Sequence, residues 1–172
     1  GMIQQLIGYT QLLESRVSDT AVVHALGALN QFIELKERAG RERALLGIVF
    51  SQDRFNETLF SRFSRNLGEL SAYTDGYRRK ATATGLSQFE ERQRTTAALE
   101  VARIQKLAFE TPLGQPLGVK PETWFETSTQ RIDQLSEVER ALAANVGQLA
   151  EQARHTAARA LWLTLGGILI AL

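Results

Sequence analysis

All three prolines of this 172-residue chain fall in one stretch, "TPLGQPLGVKP", at positions 112, 116 and 121. A proline in a helix interior costs about 3 kcal/mol, so confining them here leaves the rest of the chain free to be helical. The apolar residues follow helical spacing. Ile3, Leu6, Ile7, Leu13 and Val17 form a first series. "SDT" is then expected to break the chain, with Ser18 or Asp19 as N-cap, before Ala25, Ala28, Leu29, Phe32, Leu35, Ala39, Leu46 and Phe50 continue on a long helix. A restart at Ser51 leads to Phe55, Leu59, Phe63, Leu67, Leu70 and Tyr77, with a stop expected near Gly85. "SQFE" reads as a capping box, Ser87 with Glu90, opening a helix that reaches about Phe109. Pro121 suits the first position of a last helix through Trp124, Leu135, Val138, Leu142, Val146 and Leu149. The expected fold is therefore all-α: an up-and-down antiparallel bundle of four to five long helices, the last continuing toward a transmembrane segment.

Charge and composition narrow the function classes. Net charge is +1, which gives no global basic field for a nucleic acid. Cysteine is absent, excluding disulfides, thiol chemistry and cysteine-ligated metal. His24 and His155 have no second histidine at ligand spacing, so neither a metal nor another cofactor is expected. No nucleophile–base arrangement stands out, and an enzyme is not expected. "ALWLTLGGILIAL" gives an uncharged run over residues 160–172, shorter than the roughly 20 residues a span needs. It reads as the opening of a membrane helix, with Trp162 at the interface. The expected division is a sensor domain over 1–158 and the start of a transmembrane helix over 159–172.

Two helices place cations where leucines would be expected. With Phe32 at the centre of its stripe, Phe50 falls at the same angle, Arg43 within about 20° and Lys36 within about 40°. On the last helix, Arg131 lies about 20° from the Trp124–Leu142 stripe, with Thr127 and Ser128 supplying hydroxyls one turn earlier. An unpaired cation in a core costs several kcal/mol, so each needs a partner. That partner is a protein carboxylate, with Glu42, Glu90, Glu91 and Glu100 as candidates, or a ligand. Guanidinium is planar and donates two parallel hydrogen bonds, so the ligand it suits is a small flat oxyanion, carboxylate or nitrate.

"LKERAGRERALLG" (35–47) and "ETWFETSTQRIDQLSEVERAL" (122–142) resemble the central motif and closing segment of the nitrate- and nitrite-sensing domain family. The match lies in Lys-Glu, a small residue and Gly, then Glu-Arg-Ala, and in a Trp, a Thr two residues before an Arg, then Asp and Val-Glu. The chain departs from the family in lacking an earlier Leu-Gln…Glu-Arg-Gly helix and in carrying Arg41 where Gln is usual, so the resemblance covers about the last two-thirds of the usual domain. It implies an all-helical sensor of small oxyanions, often outside the membrane, with arginines as nitrate ligands. Carried onto this chain, those are Arg43 and Arg131. The resulting expectation is the ligand-binding region of a transmembrane chemoreceptor, periplasmic on the inner membrane and homodimeric. It would hold nitrate or nitrite between Arg43 and Arg131, with Lys36 and Ser128 in support. The competing expectation is a structural or dimerisation bundle with its arginines paired internally.

Overall fold

The computed structural model describes the backbone of residues 2–170 and the side chains of residues 16, 17, 19–159, 161 and 162. Among the described residues it is an all-helical bundle of five helices: α1 (Met2–Ser51), α2 (Glu57–Lys80), α3 (Ala83–Gln93), α4 (Thr96–Glu110) and α5 (Pro121–Ile170). No strand occurs among the described residues.

Several helix ends differ from the sequence expectation. α1 runs through residues 18–20 without a break. There the Thr20 hydroxyl donates to the Arg16 carbonyl at 2.8 Å, four residues back, so its polarity is satisfied without leaving the helix. α2 opens on Asn56, whose side chain accepts from the Leu59 N–H, and not on Ser51. It ends at Lys80, because Thr82 caps α3 and accepts from the Gly85 N–H. Gly85 therefore lies in the first turn of a helix and does not end one, and Ser87 sits inside that helix. The expected single helix to Phe109 is divided by a second threonine cap, Thr95, which accepts from Ala98 at the start of α4. The proline-bearing loop and Pro121 as the first residue of α5 stand where the sequence puts them.

The chain divides into two compact units, Ala28–Ala141 and a second made of Gly1–Gly27 with Leu142–Leu172. In the second, Val17, Val23, Leu161 and Trp162 are exposed. Among the described residues no helix is long and apolar enough to cross a membrane. Most of the apolar run at residues 160–172 lies outside the described side chains.

The larger unit holds the core. At one end Leu46, Val49 and Phe50 of α1 meet Phe55, Phe63, Val101, Ile104 and Trp124. Phe50 packs edge-on to Trp124 at 5.6 Å between centroids, and Phe55 stacks on Phe63 at 5.5 Å. The connections brace this end. Asp53 adopts a left-handed conformation (φ 52°), which aspartate tolerates. Its carboxylate accepts the N–H groups of Leu117 and Gly118 at 3.1 and 2.7 Å, tying the α1–α2 turn to the proline-bearing loop. Farther along, Phe32, Tyr77 and Phe89 form an edge-to-face trio. α2 runs antiparallel to α1: Arg38 binds Glu69 at 2.6 Å, and Gln31 lies so close to Gly76 that a Cβ there would collide with its amide oxygen.

Candidate functional site

The seam between α1 and α5 is written in steps of four and three. On α1 the stripe that supplies it is Ala28, Phe32, Leu35, Ala39, Glu42, Leu46 and Val49, all buried; on α5 the stripe is Trp124, Ser128, Arg131, Leu135 and Val138. This is heptad spacing, which two long helices use to stay in contact despite the 3.6-residue turn. Each series contains one charged residue, and the two meet. Arg131 donates to the Glu42 carboxylate at 3.3 Å, with the guanidinium side chain 11% exposed and the glutamate 1%. Gln105 of α4 donates to the other Glu42 oxygen at 2.6 Å. Burial raises the Glu42 carboxyl above its ordinary value of 4.5; the Arg131 charge and the hydrogen bonds from Gln105 and Arg131 oppose that shift without cancelling it.

Arg43 stands on the flank of the same seam. One guanidinium nitrogen donates to the Thr129 hydroxyl at 3.0 Å, and the group lies 5.3 Å from the centre of the Phe125 ring, itself 60% exposed. The Arg43 carbonyl accepts the Trp124 indole N–H at 2.9 Å, so its backbone is anchored to α5 as well. Among the described residues no carboxylate lies within ion-pair distance of Arg43. The other half-buried cations among the described residues, Lys36, Arg38, Arg92 and Arg131, each have one.

The remaining expected site residues are accounted for by protein partners. Lys36 binds Glu139 of α5 at 2.5 Å. The Ser128 hydroxyl is buried and donates back into its own helix, to the Trp124 carbonyl at 2.6 Å, so Thr129 is the hydroxyl that meets an arginine. Arg43 and Arg131 reach across the seam in opposite directions, Arg43 from α1 to Thr129 and Arg131 from α5 to Glu42. Thr129 and Arg131 are two residues apart on α5, about 200° around the helix, so the two guanidiniums stand on different flanks. Arg131 also lines a cavity of about 320 Å³ with Arg78, Ser71, Thr74, Gln93 and Phe89. Arg43 is not among that cavity's walls.

Sequence reasoning offered Glu42 only as one of several possible partners and did not find Gln105. The heptad steps carried the signal for Glu42: on a strict 3.6-residue wheel centred on Phe32 it falls about 80° off the stripe, yet it is a seam residue. Gln105 has no comparable signal, because one amide on a half-buried helix face is unremarkable in sequence.

Residues 1–147 match the family described as nitrate and nitrite sensing. The nitrate regulatory protein of Klebsiella oxytoca is 27% identical over 153 residues, covering 87% of this chain. The chain spans 37% of the length of that relative. No solved structure matches significantly. With the match running from the first residue through the α1–α5 seam, the chain belongs to the nitrate- and nitrite-sensing domain family.

Proposed function

We propose that this chain is the ligand-sensing region of a bacterial receptor that binds nitrate or nitrite at the α1–α5 seam through Arg43 and Arg131. The observation that carries the reading is Arg43, a half-buried cation on the seam with a hydroxyl and a ring beside it but no carboxylate among the described residues. A flat oxyanion completes such a guanidinium with two parallel charge-assisted hydrogen bonds. Thr129 lies close enough to share the anion, and Lys36, held by Glu139, adds positive charge two turns away. Ser128 holds the α5 backbone beneath it.

Recruiting both arginines to one anion requires Arg131 to leave Glu42, so binding changes how α5 seats on α1. Only a difference in affinity between two such seatings biases a signal. α5 extends unbroken to Ile170, which suits it to carry the displacement toward a membrane segment beginning near residue 159. A homodimeric inner-membrane receptor with this region outside the cytoplasm, of the chemoreceptor kind, is the setting the reading favours. The second reading, a structural or dimerisation bundle, draws support from the Arg131–Glu42 and Lys36–Glu139 pairs, which satisfy two of the seam cations internally.

Thermal unfolding separates the two readings. Sodium nitrate or nitrite at a hundred times its dissociation constant should stabilise the chain by about 2.7 kcal/mol. Sodium chloride should give no comparable shift, and Arg43→Ala should remove the nitrate effect. Equal melting temperatures in nitrate and chloride would leave the scaffold reading standing.

A further inference from the structure

We propose that Glu42 is the internal anion that nitrate or nitrite must displace from Arg131, and that it thereby sets the affinity and pH response of the sensor. The proposal rests on the reading of Arg131 as an anion ligand. Glu42 occupies a seam position that would otherwise be apolar, is buried on every side, and contacts two polar groups, Arg131 and Gln105. Its link to Gln105 is short, at 2.6 Å, whereas its link to Arg131 is a single contact at 3.3 Å. The carboxylate is thus anchored by the neutral amide as well as by the cation, so Gln105 still holds it when Arg131 leaves. Arg131 in turn borders the cavity, whose lining includes Arg78 and Asp75, and among the described residues Glu42 is the carboxylate that pairs with Arg131. Arg78 itself is held by Glu90 and lies near Asp75.

The surroundings of Glu42 decide its protonation once an anion has taken Arg131. The facing group on α5 is Arg131; on α4 it is Gln105, which is neutral. One turn back on α1, Arg38 is committed to Glu34 and to Glu69 of α2. Among the described residues no second cation pairs with Glu42 to compensate it when Arg131 leaves. A buried carboxylate without a counter-charge is too costly to keep, and the group takes a proton from water. Gln105 can then turn its amide and accept the acid O–H through its carbonyl. Anion binding is therefore accompanied by proton uptake, and affinity falls as pH rises, by at most about tenfold per pH unit. Protonated Glu42 no longer competes for the guanidinium.

The test is calorimetric titration of the whole chain with sodium nitrate, and separately with sodium nitrite. It is run at several pH values, in buffers of different ionisation enthalpy, on the native protein and on Glu42→Gln. The native protein should take up close to one proton per anion within the pH range where affinity declines. Glu42→Gln keeps the shape and the contact to Gln105; it should bind roughly 5- to 150-fold more tightly, take up no proton and lose the pH dependence. A proton count of zero in the native protein, or unchanged affinity in Glu42→Gln, overturns the role of Glu42 while leaving anion sensing intact. The native proton count decides the matter alone should Glu42→Gln not fold. Absence of binding heat for either anion in both proteins overturns the sensing reading, and this proposal with it.

Discussion

Two levels of the α1–α5 seam in the larger unit, the apolar end at Trp124 and the polar middle at Arg131, are built on opposite principles. Around Trp124 the surroundings are aromatic and aliphatic: Phe50 packs edge-on to the indole within a cluster that also holds Val49 and Leu46, and one indole hydrogen bond to the Arg43 carbonyl fixes its rotation. Two turns along α5 the seam turns polar, and Glu42, Arg131 and Gln105 occupy the interior. Apolar burial at the first level supplies stability at roughly 25 cal/mol per Å². A buried ion pair at the second supplies little, because desolvation offsets its Coulomb attraction. It does fix register: Lys36 with Glu139, Glu42 with Arg131 and Arg43 with Thr129 align α1 and α5 antiparallel at three successive levels. A sensor needs both parts, one that stays folded and one whose contacts can be exchanged.

Substitutions along the seam should separate these roles. The largest effect is expected at the apolar end: Trp124→Ala, at a fully buried position, should lose about 3–5 kcal/mol in urea unfolding. Arg131→Ala should cost nearly as much at neutral pH, about 3 kcal/mol, because it strands Glu42. That cost carries a pH signature. Glu42 has a folded-state pKa raised above its unfolded value, so its contribution is fully favourable below the ordinary carboxylate range and is lost as pH rises through the folded value. The deficit of Arg131→Ala should therefore shrink as unfolding is measured from pH 8 down to pH 5. Replacing both partners, Glu42→Leu with Arg131→Met, should instead be neutral or stabilising by about 1–4 kcal/mol. If the double replacement lost as much as Arg131→Ala, the contrast between the two levels would fail.

Smaller effects sharpen the contrast. Asp53→Ala removes the acceptor for two loop N–H groups and forces alanine into a left-handed conformation. It should cost about 1–3 kcal/mol in chemical denaturation. Arg43→Ala should alter stability least, by about 0.5 kcal/mol, since it removes one hydroxyl contact and an exposed ring contact.

Helical content, the proline-bearing loop and the start of α5 were legible in the sequence because each rests on local chemistry: helix propensity, exclusion of proline and the first-turn role of Pro121. Threonine caps were harder to read. Thr82 and Thr95 compete with neighbouring serines and a glycine that carry equally plausible signals, and tertiary packing decides among them. The site was half legible. Arg43 and Arg131 were identifiable as cations on apolar faces, but a strict 3.6-residue wheel drifts by about 20° per heptad from a 3.5-residue seam. Over the turns between Phe32 and Glu42 that drift is about 30°, and centring the stripe on Phe32, at one edge of the seam, adds to it, so Glu42 fell outside the expected core and Arg43 inside it, the reverse of their positions in the fold. Thr129 was passed over because it lies about 140° around the helix from Trp124, off the apolar stripe that Ser128 shares.

The most direct test observes the arginine side chains themselves. Guanidinium Nε–H resonances of ¹⁵N-labelled protein, assigned with Arg43→Lys and Arg131→Lys, can be monitored during titration with sodium nitrate against sodium chloride. If the two seam arginines hold the anion, Arg43 and Arg131 should show saturable shifts with nitrate alone, while the exposed Arg62 and Arg65 remain unmoved. Uniform shifts across all arginines, or none at the two seam positions, would contradict anion binding at the seam.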